Sequence, residues 1–234
     1  MDDYHDIIIT SFGNIPLIRR SGYQFQKFGG IIEATDTPVI LDQTSLKGCF
    51  KECLIDNEDF GKKNNIGDWN TKGVTDMSEM FSGAINFNHR ISKWYTSNVT
   101  DMSEMFKKAE TFNSPINTKQ NKQLTEWSFN TLKPFSISYF VRTVSNDSYN
   151  IKTNTYLTWD ISNVTDIHEM FSDAIAFNQA LDHWNTVNVK NFTEIFANTR
   201  NLNYINVGSL RAWIVNPSDS TLSDTTSISD PPSF

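Results

Sequence analysis

Cysteine is scarce: the 234 residues contain two, Cys49 and Cys53. Two cannot build the disulfide framework of a small secreted scaffold. Zinc would need about four ligands, and no histidine or third cysteine stands nearby in sequence, so both read as buried thiols. Long apolar runs are also missing. Nothing approaches the ~20 residues of a membrane helix, and the opening MDDYHDIIITSFGNIPLIRR carries acids where an export signal carries positive charge. No membrane insertion and no export signal are therefore expected. Positive charge is short, with 20 Lys and Arg against 27 Asp and Glu and a net charge of −7, which argues against a nucleic-acid partner. The histidines His5, His89, His168 and His183 are dispersed. There is no Gly-rich phosphate loop and no Ser/His/Asp order, so no catalysis, cofactor or metal is expected.

What the chain does have is a repeat. GVTDMSEMF at 73–81 returns as NVTDMSEMF at 98–106 and NVTDIHEMF at 163–171. Trp69 and Trp94 lie 25 apart, as do Trp159 and Trp184; Trp127 stands between, at intervals enlarged by apparent insertions at 117–124 and 144–154. Counted from Trp69, Trp94, Trp159 and Trp184, Phe recurs at twelve (Phe81, Phe106, Phe171, Phe196), Ala at fifteen in the first three, and Phe-Asn or Leu-Asn at eighteen. Fixed apolar slots with drift between them mark a core shared by stacked copies. The expected core is Trp69, Phe81, Trp94, Phe106, Trp127, Trp159, Phe171, Trp184 and Phe196. A copy without Trp places Leu46, Cys49, Phe50 and Cys53 in the same slots.

Asx followed three residues on by Glu is the pattern of a helix N-cap with a reciprocal partner. Asp76 with Glu79, Asp101 with Glu104 and Asp166 with Glu169 are the expected caps, in preference to a Ca²⁺-binding column of stacked acids. The aromatic and β-branched FNxxIxxW segment suits a strand. A short strand plus a short helix every 25 residues predicts an α/β repeat solenoid, a leucine-rich-repeat-like stack of about six coils. The coils fall near 46–68, 69–93, 94–126, 127–158, 159–183 and 184–208. Residues 1–45 read as an N-terminal cap or docking segment, 209–216 as a C-terminal cap with Trp213 buried, and 217–234 as a flexible tail. Within the repeat word the slot of Ser78, Ser103 and His168 varies and is expected at the surface, so Ser103→Ala should cost little where Phe106→Ala costs ~3–5 kcal/mol. The Asn after each Phe (Asn88, Asn113, Asn178, Asn203) is expected to bond neighbouring backbone turns.

The word W-x-x-x-N-V-T-D-M-S-E-M-F-x-x-A-x-x-F-N-x-x-I resembles the repeat of the BspA-type leucine-rich-repeat surface proteins, over about residues 69–208. The resemblance implies a leucine-rich-repeat-like solenoid, adhesion or protein binding, a cell-surface or secreted location, and no catalytic residues. The partner is then a protein. Candidate contacts lie on the strand side and in the insertions: His89, Arg90, Lys93, Asn117, Lys119, Asn146, Tyr149, Gln179, Asp182 and His183. The alternative is a structural component of a larger assembly, such as a virion or surface layer, docking on neighbouring structural proteins through its termini. Sequons stand at Asn98, Asn146, Asn163 and Asn191; three fall inside the repeat word and follow from it.

Overall fold

The structure, a computed structural model, describes residues 8–14, 16–17, 22–54, 66–129 and 149–203. Among the described residues there is no α-helix. One 3-10 turn spans Ile66–Asp68, and the strands are short: β1 Ile8–Ile9, β2 Ile31–Ile32, β3 Thr44–Ser45, β4 Val74–Asp76, β5 Lys119–Phe129 and β6 Tyr149–Thr158. They form three two-stranded sheets, β1 with β2, β3 with β4, and β5 with β6. The first two pairs are parallel, with Ile8 opposite Ile31 and Thr44 opposite Val74. The expected solenoid of strand-plus-helix coils is thus overturned.

The reason lies in the backbone of the repeat word. A helix needs every N–H turned back four residues along the chain. Here alternate N–H groups do different things. Those of Met80, Ser82 and Ala84 turn back three residues, to the carbonyls of Met77, Glu79 and Phe81. Those of Glu79, Phe81 and Gly83 leave the coil and donate to Ser103, Met105 and Lys107 at 2.8, 2.9 and 2.7 Å. The alternation is set by left-handed residues four apart: Glu79 and Gly83, Glu104 and Lys108, Glu169 and Asp173, Glu194 and Asn198. A left-handed L-residue costs roughly 1–2 kcal/mol, and a ladder of inter-coil hydrogen bonds offsets that cost. Each word is therefore a run of tight turns stacked on its neighbours.

The expected caps are corrected with the helix. Asp76, Asp101 and Asp166 each accept from the N–H two residues on, at 2.9 Å, and from the side chain of Ser78, Ser103 or His168. These are local Asx turns. Pairing occurs at these aspartates too, through parallel bridges Asp76–Asp101, Asp101–Asp166 and Asp166–Asn191. The FNxxIxxW segment, where strands were expected, has none at 87–94. Ser78 and Ser103 are buried and their hydroxyls donate to the aspartates at 2.7 and 2.6 Å, so in those two coils the varying slot is not at the surface, whereas His168 is half-buried and Thr193 exposed.

The core is a set of aromatic columns. Phe25, Phe50, Phe81, Phe106, Phe171 and Phe196 stack in sequence with ring centroids 5.2–5.8 Å apart and planes within 18°. Phe87, Phe112 and Phe177 form a second column at 6.0 Å spacing. Trp69, Trp94, Trp159 and Trp184 are buried, as are Phe81, Phe106 and Phe171; Phe196 is half-buried at the last described coil. The indole N–H groups of Trp94, Trp159 and Trp184 donate to the carbonyls of Ile66, Ile91 and Ile116 on the preceding coil. Burying an aromatic of this size contributes ~1.5–3 kcal/mol.

Two boundaries move. Residues 22–28 belong to the stack: the N–H groups of Tyr23, Phe25 and Lys27 donate to Lys47, Cys49 and Lys51. Tyr23 and Lys27 are left-handed and four apart, as in the later words. Most of the coil expected over 127–158 lies outside the described residues. The Trp94 coil passes its bonds straight to the Trp159 coil, from Met102, Glu104, Phe106 and Lys108 to Asp166, His168, Met170 and Ser172. Trp127 falls within β5, and residues 120–157 form a separate compact unit. The repeat therefore carries one long insertion where the sequence suggested a degraded coil with two short ones.

Gly73 explains why one word begins with G. An added Cβ there would lie 2.5 Å from the Leu41 carbonyl oxygen. The other coils place asparagine at this slot, and its amide bonds back one coil: Asn98 to Lys72, Asn163 to Ser97 and Asn188 to Ser162, at 2.6–2.8 Å.

Candidate functional site

The turn rigidity described above positions two kinds of surface. The first is a charged ribbon along the left-handed glutamates. Lys47 and Lys51 both pair with Glu79, the former at 3.1 Å. Burial works to raise the Glu79 carboxyl, but the two ammonium groups outweigh it and leave it below the ordinary range. One step along, Lys107 pairs with Glu104 at 3.1 Å and with Glu169. His168 joins this group, with Nδ1 2.7 Å from Asp166 and Nε2 3.7 Å from Glu104. The ribbon is largely self-neutralising.

The second is the polar edge between each Phe-Asn and the next Trp. Its backbone is fixed by an asparagine ladder: Asn113 donates its N–H to Asn88 Oδ1, Asn178 to Asn113 Oδ1 and Asn203 to Asn178 Oδ1, at 2.7–2.8 Å. Buried Ile91, Ile116 and Leu181 hold it inward. Arg90, Lys93, Asp182 and His183 are exposed on it. Lys93 makes an exposed ion pair with Asp68. His89 is half-buried, its ring 5.7 Å from that of Phe87. Gln179 bonds Asn113 Oδ1 at 2.9 Å.

Three of the candidates meet. Asn117 donates from Nδ2 to Asp182 at 2.7 Å and accepts the His183 N–H at 3.0 Å, and His183 Nε2 lies 3.7 Å from Asp182. Lys119 opens β5 and Tyr149 opens β6. Asn146 lies outside the described residues, as do the C-terminal cap and tail expected over 209–216 and 217–234.

The sequence placed His168 in a variable slot expected at the surface and did not foresee its contact to Glu104. This histidine stands where its counterparts are hydroxyls, and of its two half-buried acid contacts the one to Glu104 crosses a coil boundary. The signal was present as the one ionisable side chain in a Ser/Thr slot. Both thiols are buried, and burial pushes Cys49 well above its ordinary range and Cys53 up to about 12, which disfavours the reactive thiolate. Among the described residues no group of three or more His, Cys, Asp or Glu is placed to hold a metal. No helix there is long and apolar enough to cross a membrane.

No curated protein and no solved structure matches the chain. A family model does, over residues 44–138 and 141–230, and it carries the description "Mycoplasma protein of unknown function, DUF285". Those two stretches span most of the chain and contain every copy of the repeat word, so the chain belongs to the DUF285 family.

Proposed function

We propose that the chain is a non-enzymatic protein-binding module of the BspA-like kind, engaging its partner through the polar edge that carries Arg90, Lys93, Asp182 and His183. One observation supports this reading above others. Along that edge the buried slot stays Ile91, Ile116 and Leu181. The exposed slot beside it changes from Arg90 to Pro115 to Ala180, and the last slot from Lys93 to Thr118 to His183. A surface free to change on a backbone locked by side-chain ladders suits recognition. Docking as part of a larger assembly through an N-terminal arm is less favoured, because residues 22–28 are built into the stack.

The test is a partner captured by cross-linking from an edge position, purified, and titrated against variants. Arg90→Glu with Lys93→Glu should weaken binding at least about tenfold, or ~1.4 kcal/mol. Lys190→Glu, away from the edge, should not. Equal affinity for all variants would contradict the proposal.

A further inference from the structure

We propose that His168 is a pH-sensitive clamp across the junction where the Trp94 coil meets the Trp159 coil. The same slot in the other words holds Ser78, Ser103 and Thr193, whose hydroxyls donate to the adjacent Asx oxygen at 2.6–2.8 Å. A hydroxyl completes that turn at any pH. The imidazole does the same job through Nδ1, 2.7 Å from Asp166 Oδ1. It also has a second nitrogen, and Nε2 faces Glu104 Oε1 on the preceding coil at 3.7 Å. Neutral, with its one proton on Nδ1, the ring has no N–H to offer Glu104. Protonated, it still donates to Asp166 and sets a positive charge 3.7 Å from Glu104 on the preceding coil.

The charged groups acting on the ring are Asp166 on its own turn, Glu104 on the preceding coil, and Glu169 beside it, with Lys107 bridging the two glutamates. To that ammonium a protonated imidazole adds a second positive charge beside Asp166, Glu104 and Glu169. The following coil contributes Asn191 and Thr193, which are uncharged, and beyond them the exposed Glu194. The junction differs from the others in one respect. Its two coils are consecutive in space but lie either side of residues 120–157 in sequence. An ion pair present only on protonation therefore strengthens the coil boundary that chain connectivity holds least closely.

Burial works to lower the pKa of His168, but the Asp166 hydrogen bond and the charges of Asp166, Glu104 and Glu169 outweigh it, and the net direction is up from 6.5. A raised folded-state value means that the stabilisation is fully present below about 6.5 and is lost as pH rises through the folded value.

The experiment uses the full chain. Melting temperature is measured across pH 6 to 8, the imidazole is titrated by NMR, and exchange of the Glu104 and Phe106 amides, which donate to His168 and Met170, is followed after correction for intrinsic rates. The expected result is a higher melting temperature and slower exchange at the acid end. His168→Ser, which restores the hydroxyl of the other words, should remove most of that difference, and Glu104→Gln should reduce it. The proposal is overturned if His168 titrates at or below 6.5. It is equally overturned if either folded variant keeps the full pH difference. Should His168→Ser fail to fold, Glu104→Gln and the NMR titration decide the matter alone.

Discussion

The indole N–H of Trp159 donates to the carbonyl oxygen of Ile91 at 2.8 Å across 68 residues of sequence. Trp94 makes the same bond to Ile66 across 28 residues, at 2.9 Å. The bond is the same although the intervening chain differs by 40 residues, so the stack closes over the insertion. Thr158 Oγ1 also reaches the Lys119 carbonyl at 3.4 Å, which brings the two ends of the excursion together. Replacing residues 120–157 by a short Gly-Ser link should leave a folded stack with a cooperative melt near that of the full chain. Loss of cooperative unfolding would show that the insertion belongs to the stack.

Phe106 and Ser103 are both buried and fail differently. Phe106 sits between Phe81 and Phe171 at 5.7 and 5.8 Å. Phe106→Ala should cost about 3–5 kcal/mol by leaving a cavity. Ser103→Ala removes one hydroxyl bond to Asp101 and should cost about 1 kcal/mol. Chemical denaturation with matched m-values checks both. A Ser103→Ala cost near zero would return that slot to the surface.

Gly73→Ala tests the close approach of two coils directly. Its Cβ would meet the carbonyl of Leu41 and the backbone of Asp42, which cannot swing aside. The substitution should destabilise by about 1–3 kcal/mol, as overpacking does. Alanine at Asn98, the same slot one coil on, should lose only the bond to Lys72. Thermal melts of the two variants side by side would show whether Gly73 is the more costly change.

Asp36 ties down the Ser11–Gly13 turn. Its carboxylate accepts from the N–H groups of Phe12 and Gly13 and from the Ser11 hydroxyl, and the Phe12 N–H foremost holds it down to about 2. A lowered folded-state value gives a contribution that is present above 3.8 and lost as pH falls toward 2. Amide exchange at Phe12 and Gly13 should therefore rise over that window, and Asp36→Asn should show the fast exchange already at neutral pH. Unchanged protection in the variant would remove Asp36 from that role.

Much of the core was legible and the backbone was not. The slots at Trp69, Met77, Met80, Phe81 and Ala84 are all buried, as their fixed spacing implied. Spacings of three and four residues look helical because tight turns closing every three residues bury side chains at nearly the same interval. Nothing in Glu79 or Glu104 advertises a left-handed backbone, since the conformation is imposed by the neighbouring coils. For the same reason Asp followed by Glu three on resembled a cap. Residues 22–28 read as part of a cap and not as a turn of the stack, because GYQFQKF shares little with the word except Phe25 in the central column. On the candidate edge, composition placed Arg90, Lys93, Asp182 and His183 outside. The contacts joining Asn117 to Asp182 and His183 depend on the Trp94 coil meeting the Trp159 coil directly, which no local pattern encodes.

The most direct measurement is a nuclear Overhauser spectrum of the labelled chain, read at Glu104 and Phe106. Stacked turns predict a strong intraresidue contact between the amide and α protons of Glu104, whose φ is +53°. They also predict contacts from the Phe106 amide to residues around Met170, whose carbonyl it meets at 2.9 Å. A run of contacts between residues three and four apart through 101–109, with no contact to 166–172, would mean a helix in that place and would contradict the account.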